Sequence, residues 1–290
     1  MATRVQQHSG INIKKLHPKI GAEVTGFDLR LPLDDEIIQI IKEAWYKHTV
    51  LLFRNQKLSE DDQLRFASLF GPIADRVQPP RNKNYSDAAD WGNLMLVTDR
   101  VSEDGKPLGS LGHGEMTFHT DKCYRERPHH ASFLYGIEIP NTGGNTKFTS
   151  LYAAYNSMPE NLKKRLKNAF VMQGHQYGGY GRLDLDVDLA NIHHFRQPMI
   201  VKNPGSGKPA LYISRLNTMW IEGFDRGESE ALLEPLFDLT EDPKNMYEHV
   251  WRQGDLLMWD NLACLHARTD WPKDQKRALR RCTTEGGRLW

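Results

Sequence analysis

Short apolar or alternating runs outnumber helical stripes along this chain. Residues 11–16 alternate apolar and polar positions and read as a strand, and 21–29 is a second extended piece. Behind Asp34 and Asp35, the residues Ile37, Ile38, Ile41, Ala44 and Trp45 recur at helical spacing. Residues 49–53 form an apolar run of strand formers, which predicts a buried strand. Ser59 followed by three acids supplies an N-cap and a favourable first turn for a helix that runs to about Phe70, where Gly71-Pro72 stops it. Further strands are expected at 93–97, 131–139, 146–149, 199–202, 210–214, 247–252, 255–259 and 279–284, and helices at 151–156, 159–170 and 228–239. Three stretches lack a period: 76–92, 105–116 and 174–196. They read as long loops, the places where specificity elements and lids reside.

Many strands with the helices gathered early predict an α+β domain on an antiparallel core, not a βαβ sheet. One domain over residues 11–290 behind a flexible tail, residues 1–10, accommodates the 290 residues. With 38 basic and 37 acidic residues the net charge is +1, which gives no electrostatic case for nucleic acid or an anionic membrane as partner. No apolar run reaches the ~18 residues of a membrane span, and the first ten residues hold no secretion signal. Three cysteines without a Cys-X-X-Cys pair are too few for a disulfide framework, so a cytoplasmic setting is expected. Neither a Gly-X-Gly-X-X-Gly nor a Walker sequence is present, which removes the phosphate-cradle reading.

The chemistry concentrates at Phe118-His119-Thr120-Asp121. On an extended segment His119 and Asp121 would point the same way, imidazole beside carboxylate. Two ligands leave most of a metal's coordination sphere open, and the best third candidate is His266. Two histidines and one carboxylate with open positions form the facial triad of non-haem Fe(II) oxygenases. Arg277 and Arg281 would share one face of the last strand, where buried guanidinium groups need anions to meet them. That strand therefore looks suited to acidic small molecules.

Taken in order, His119-X-Asp121, Gly143-Gly-Asn-Thr146, Trp259-Asp260-Asn261, His266 and Arg277-X-X-X-Arg281 resemble the taurine / 2,4-dichlorophenoxyacetate dioxygenase family of Fe(II)/2-oxoglutarate oxygenases, from about Gly21 to Thr284. The resemblance implies a double-stranded β-helix, a cupin-like jelly-roll core with flanking helices. It implies that His119, Asp121 and His266 hold Fe(II), that Thr146 and Arg277 bind the distal carboxylate of 2-oxoglutarate, and that Arg281 meets the acid group of the substrate. The implied reaction uses O2 and 2-oxoglutarate to hydroxylate a C–H bond of a small carboxylate or sulfonate, releasing succinate and CO2. Where that carbon bears O, N or S, the product would collapse with bond cleavage. Two positions depart from the family pattern, Phe118 for Trp and Asn145 for Asp, and both bear on substrate fit more than on reaction type. Proteins of this family often associate as homo-oligomers, so a homo-oligomer is compatible with the resemblance. The alternative is a β-sandwich sensor or carrier that binds metal and keto acid without turnover. A zinc hydrolase is disfavoured, because no general base stands near the ligands and the arginines would be unexplained.

Outside these motifs, His113 is a candidate substrate contact or an ordinary loop histidine, and Glu115 faces either the pocket or solvent. His129, His130, His193 and His194 are read as structural, Cys123 as a buried inert thiol, and Arg280 as pointing to solvent. Tyr177, Tyr180 and Arg182 lie in a loop able to close over substrate.

Overall fold

The computed structural model describes residues 10–75, 93–106, 108–176 and 182–290. The N-terminal tail, the basic stretch within 76–92, and Tyr177 and Tyr180 fall outside the described residues. The first half holds β1 (Asn12–Lys15), β2 (Ala22–Thr25), α1 (Asp35–His48), β3 (Val50–Phe53), α2 (Glu60–Ser68), β4 (Met95–Thr98), β5 (Met116–His119), β6 (Ala131–Glu138) and β7 (Thr146–Ser150). There follow α3 (Leu151–Ser157), α4 (Glu160–Leu166), β8 (Phe170–His175), β9 (His193–Pro198), β10 (Ile200–Lys202), β11 (Pro209–Leu211), β12 (Thr218–Ile221) and α5 (Arg226–Thr240). The chain closes with β13 (Met246–His249), β14 (Leu256–Asp260), β15 (Cys264–Arg268) and β16 (Ala278–Thr283).

Helix starts follow the local chemistry. Asp34 caps α1 by accepting from the Ile37 amide at 2.8 Å. Ser59 and Asp62 form a reciprocal capping box at the head of α2. The strands gather into a seven-stranded sheet, β1-β2-β3-β14-β6-β16-β4, and a four-stranded sheet, β13-β7-β15-β5, with a three-stranded (β12-β8-β9) and a two-stranded (β10-β11) sheet beside them. Among these strand pairs only β2–β3 is parallel.

Alternation along the seven-stranded sheet divides its apolar residues between two cores. Leu51, Phe53, Phe133, Leu256, Met258 and Cys282 pack outward against Ile37, Ile41 and Trp45 of α1 and Phe66 and Ala67 of α2. Val50, Leu52, Leu134, Leu257, Trp259 and Leu279 pack the other way, against Phe148 of β7 and Cys264 of β15. The two larger sheets thus face each other across a common core, and each buried aliphatic or aromatic side chain there contributes about 1.5–3 kcal/mol.

Several expectations are corrected. The stretch 174–196 is strand only at its two ends: β8 runs to His175, and β9 begins at His193 and pairs with it. The His-His-Phe-Arg-Gln-Pro run carries no apolar alternation and becomes a strand because β8 satisfies its backbone. The helix expected to reach residue 170 ends at Leu166. Arg280 does not point to solvent: it is buried against α2, donating Nε to Gln63 Oε1 at 2.8 Å and Nη2 to the carbonyls of Leu58 and Ser59.

Candidate metal centre

Strands β5 and β15 are neighbours in the four-stranded sheet, with His119 directly opposite His266. Their ring centroids lie 4.1 Å apart. Asp121 does not share their strand. Strand β5 ends at His119, and Asp121 reaches the histidines from the following turn, where Lys122 takes a left-handed φ of 58°. Thr120 fixes that turn by donating its hydroxyl to the Asn261 carbonyl at 2.6 Å. One ligand atom from each of His119, Asp121 and His266 falls within 4.8 Å of the others. The expected trio is therefore brought together, by a turn and not by strand alternation.

The three groups stand in the protonation states that a cation requires. Burial alone would raise the Asp121 carboxyl, but the Arg281 charge, followed by the neighbouring His266 and His119 rings and the Ser132 hydrogen bond, outweighs it and holds the group well below the usual carboxylate range. Burial pushes the His119 and His266 imidazoles down, so both are neutral. His119 Nδ1 donates to the Thr117 carbonyl at 2.8 Å, which leaves the lone pair on Nε2. On Asp121, Oδ2 accepts from Arg281 Nη2 at 2.5 Å and Ser132 Oγ at 2.6 Å, while Oδ1 faces His266 Nε2 at 3.9 Å. Behind Ser132 stands Asn261, which donates Nδ2 to Ser132 Oγ and accepts from Trp259 Nε1, each at 2.9 Å. Trp259 and Asn261 of the Trp-Asp-Asn run thus orient the carboxylate from one layer back. Two neutral imidazoles and one ionised carboxylate are a donor set that fits a divalent first-row metal.

Thr146 and Arg277 lie beside one another's neighbours. Thr146 opens β7 opposite Arg268 of β15, and its hydroxyl accepts from Trp251 Nε1 at 3.0 Å. The Arg277 side chain is 1% exposed. Its Nε donates to the Gly144 carbonyl at 3.0 Å, its guanidinium lies 5.1 Å from the Trp271 ring, and its Nη1 has no hydrogen-bond partner among the described residues. Burial, then the Arg268 charge, pull its pKa down to about 9. A buried cation with an unused N–H is costly unless an anion completes it. Gly144, at φ 64°, lets the guanidinium lie on the backbone: a Cβ there would fall 2.8 Å from Arg277 Cδ.

The remaining candidates divide. Arg281 turns inward as expected, but towards Asp121. His113 Nε2 lies 2.7 Å from Asp99 Oδ2, and its ring stacks on Trp271 at 4.4 Å, so it belongs to the wall beside Arg277 and is not brought to the His/Asp/His cluster. Arg182 is engaged by Glu230 and Glu234 of α5. Glu115 is exposed, and burial pushes the Cys123 thiol up, which leaves it unreactive. Sequence reasoning missed Ser132, Arg268 and Trp271. The first was detectable as a hydroxyl among the apolar residues that open β6, and the second as a cation two positions after His266 on the same strand.

Two facing sheets that carry an open His/Asp/His set beside buried arginines define a metal-dependent oxygenase frame. A profile of the family described as "Taurine catabolism dioxygenase TauD, TfdA family" matches residues 12–283, and the chain belongs to that family. It is 32% identical over 284 residues to a pentalenolactone F synthase of Streptomyces avermitilis, covering 91% of this chain and 90% of that protein. It is 31% identical over 284 residues to an (S)-phenoxypropionate/alpha-ketoglutarate-dioxygenase of Sphingobium herbicidovorans, covering 92% of each. The solved structure of AAD-2 in complex with Mn(II) and N-oxalylglycine superposes with a TM-score of 0.78 at 26% identity, over 95% of this chain and 97% of that one. The protein is a 2-oxoglutarate-dependent dioxygenase. No helix among the described residues is long and apolar enough to cross a membrane.

Proposed function

We propose that this chain, one domain from residue 11 onward with a double-stranded β-helix core, hydroxylates a C–H bond of a small organic anion in the cytoplasm. His119, Asp121 and His266 hold Fe(II), which when bound supplies the site where O2 is reduced at the expense of 2-oxoglutarate. One oxygen atom ends in succinate, the other in the hydroxylated product, and CO2 leaves. Thr146 and Arg277 receive the distal carboxylate of 2-oxoglutarate. Arg281 shares its guanidinium between Asp121 Oδ2 and the acid group of the substrate, and so sets substrate charge beside the oxidising centre. The observation that carries the reading is the meeting of one carboxylate and two neutral imidazoles within 4.8 Å, close to a buried arginine with an unused N–H. The Sphingobium relative, named for an aryloxy carboxylate and alpha-ketoglutarate, and the AAD-2 structure, with its Mn(II) and N-oxalylglycine, support the metal, the keto acid and an anionic substrate.

The test is an anaerobic titration with Fe(II) and then 2-oxoglutarate, followed by the visible metal-to-keto-acid charge-transfer band. The band should form and should vanish in His266→Ala. Folded protein that gives no band with excess ligand would refute the assignment. A band without succinate release across a panel of carboxylates, sulfonates and sulfate esters would point instead to a binding protein.

A further inference from the structure

Arg268, two residues beyond His266, is buried at 7% exposure and spreads its guanidinium over three backbone carbonyls. Its Nη1 donates to the Leu111 carbonyl, and its Nη2 to the carbonyls of Gly112 at 2.6 Å and Gly114 at 2.5 Å. All three acceptors lie on the glycine-rich segment that leads into β5 and so to His119. The same segment is held from its other side. The Gly114 amide donates to Asp270 Oδ1 at 2.9 Å, and His113 stacks on Trp271. Leu111 takes a φ of 60°, a conformation that a β-carbon resists and that the surrounding bonds must hold. Residues 111–114 are thereby bolted to residues 268–271.

Arg268 shares that wall with Arg277. The guanidinium groups of Arg268 and Arg277 each lie 5.1 Å from the ring of Trp271, so two cations flank one indole at the place where Arg277 keeps an unused N–H.

We propose that Arg268 is a positioning residue for the keto acid: its fork fixes segment 111–114 and Trp271 as the wall beside Arg277, and its charge adds to the field that draws the distal carboxylate. The inference rests on the reading that Arg277 receives 2-oxoglutarate. It is tested by calorimetric binding of 2-oxoglutarate to protein loaded with Mn(II), for the wild type, Arg268→Gln, Arg268→Lys and Asp270→Asn. Arg268→Gln should weaken 2-oxoglutarate binding about tenfold, the size expected for losing charge-assisted bonds and a nearby charge. Arg268→Lys keeps the charge without the fork and should recover only part of it. Asp270→Asn, which weakens the charge-assisted tie to the Gly114 amide, should weaken binding about threefold. In Arg268→Gln the amides of 111–114 should exchange faster, the KM for 2-oxoglutarate should rise with kcat retained, and Mn(II) affinity should stay within about twofold. Unchanged 2-oxoglutarate affinity in Arg268→Gln, or Mn(II) affinity falling in parallel, overturns the proposal. If that variant does not fold, Asp270→Asn decides the question by the same readout. Wild type that binds Mn(II) but no 2-oxoglutarate would remove the assignment of Arg277 and this inference with it, an outcome distinct from an unchanged variant.

Discussion

Ser132→Ala separates the orientation of the carboxylate ligand from its presence. Ser132 is fully buried, and its hydroxyl donates to Asp121 Oδ2 at 2.6 Å while accepting from Asn261 Nδ2 at 2.9 Å. Removing it costs a hydrogen bond to an ionised group, about 1.5–3 kcal/mol, and leaves the Asn261 amide short of an acceptor. All of that loss should appear in the stability of the metal-free protein, because the bond exists without a metal. Only part should appear in metal affinity, namely the share that keeps Oδ2 occupied and Oδ1 turned towards His266. Outer-layer partners of this kind are worth about 10–100-fold in metal affinity. The expected loss lies near the lower end, about tenfold, because Arg281 still holds Oδ2. Competition of Mn(II) against a chelator measures the affinity, and urea denaturation of the metal-free protein measures the stability. Unchanged stability together with unchanged Mn(II) affinity would refute the reasoning, since no burial-dependent bond would then be in play.

Arg281→Ala should raise the substrate KM by the equivalent of about 2–5 kcal/mol with 2-oxoglutarate binding retained, as read by steady-state kinetics on an anionic substrate. Gly144→Ala should weaken 2-oxoglutarate binding, because the new Cβ would fall 2.8 Å from Arg277 Cδ and Nε at a φ that side chains disfavour, and calorimetry reads the change. Arg280→Met should destabilise the fold by about 1–3 kcal/mol in denaturant, by stranding the Leu58 and Ser59 carbonyls, while metal and 2-oxoglutarate affinities stay unchanged. Burial lowers His129 and His175 to about 3, so the unfolded chain binds more protons than the folded one once the pH drops below the ordinary imidazole value. Stability of the metal-free protein should be full above about pH 6.5 and fall towards pH 3, by up to about 1.4 kcal/mol per pH unit for each group; a flat profile from pH 7 to 5 would contradict this.

The residues differ in how openly they announced themselves. The Ser59 cap and its acids, the 255–259 run and the stripe from Ile37 to Trp45 encode local structure in local pattern, and each formed the element its pattern implied. Strand β9 could not be read, because its backbone partner and not its own side chains makes it a strand. Arg280 was misread because polarity alone suggests exposure, while its partner Gln63 stands 217 positions away. At the candidate metal centre the order and spacing of His119, Asp121 and His266 carried the trio. The turn that delivers Asp121 depends on a left-handed Lys122, a conformation that lysine does not advertise. Ser132 and Arg268 escaped notice because their importance lies in what they touch after folding.

Strand β16 serves three compartments at once. Leu279 fills the space between the sheets, Arg281 reaches Asp121, and the preceding Arg277 meets Gly144, whereas Arg280 and Cys282 face the helices on the opposite side. That division depends on counting by twos. Deleting or inserting one residue between 277 and 281 would send one arginine into the aromatic core of Phe66 and Phe133 and pull an apolar side chain into its place. Among natural or engineered variants of this chain, the strand should therefore accept exchanges of side chain but no change of length.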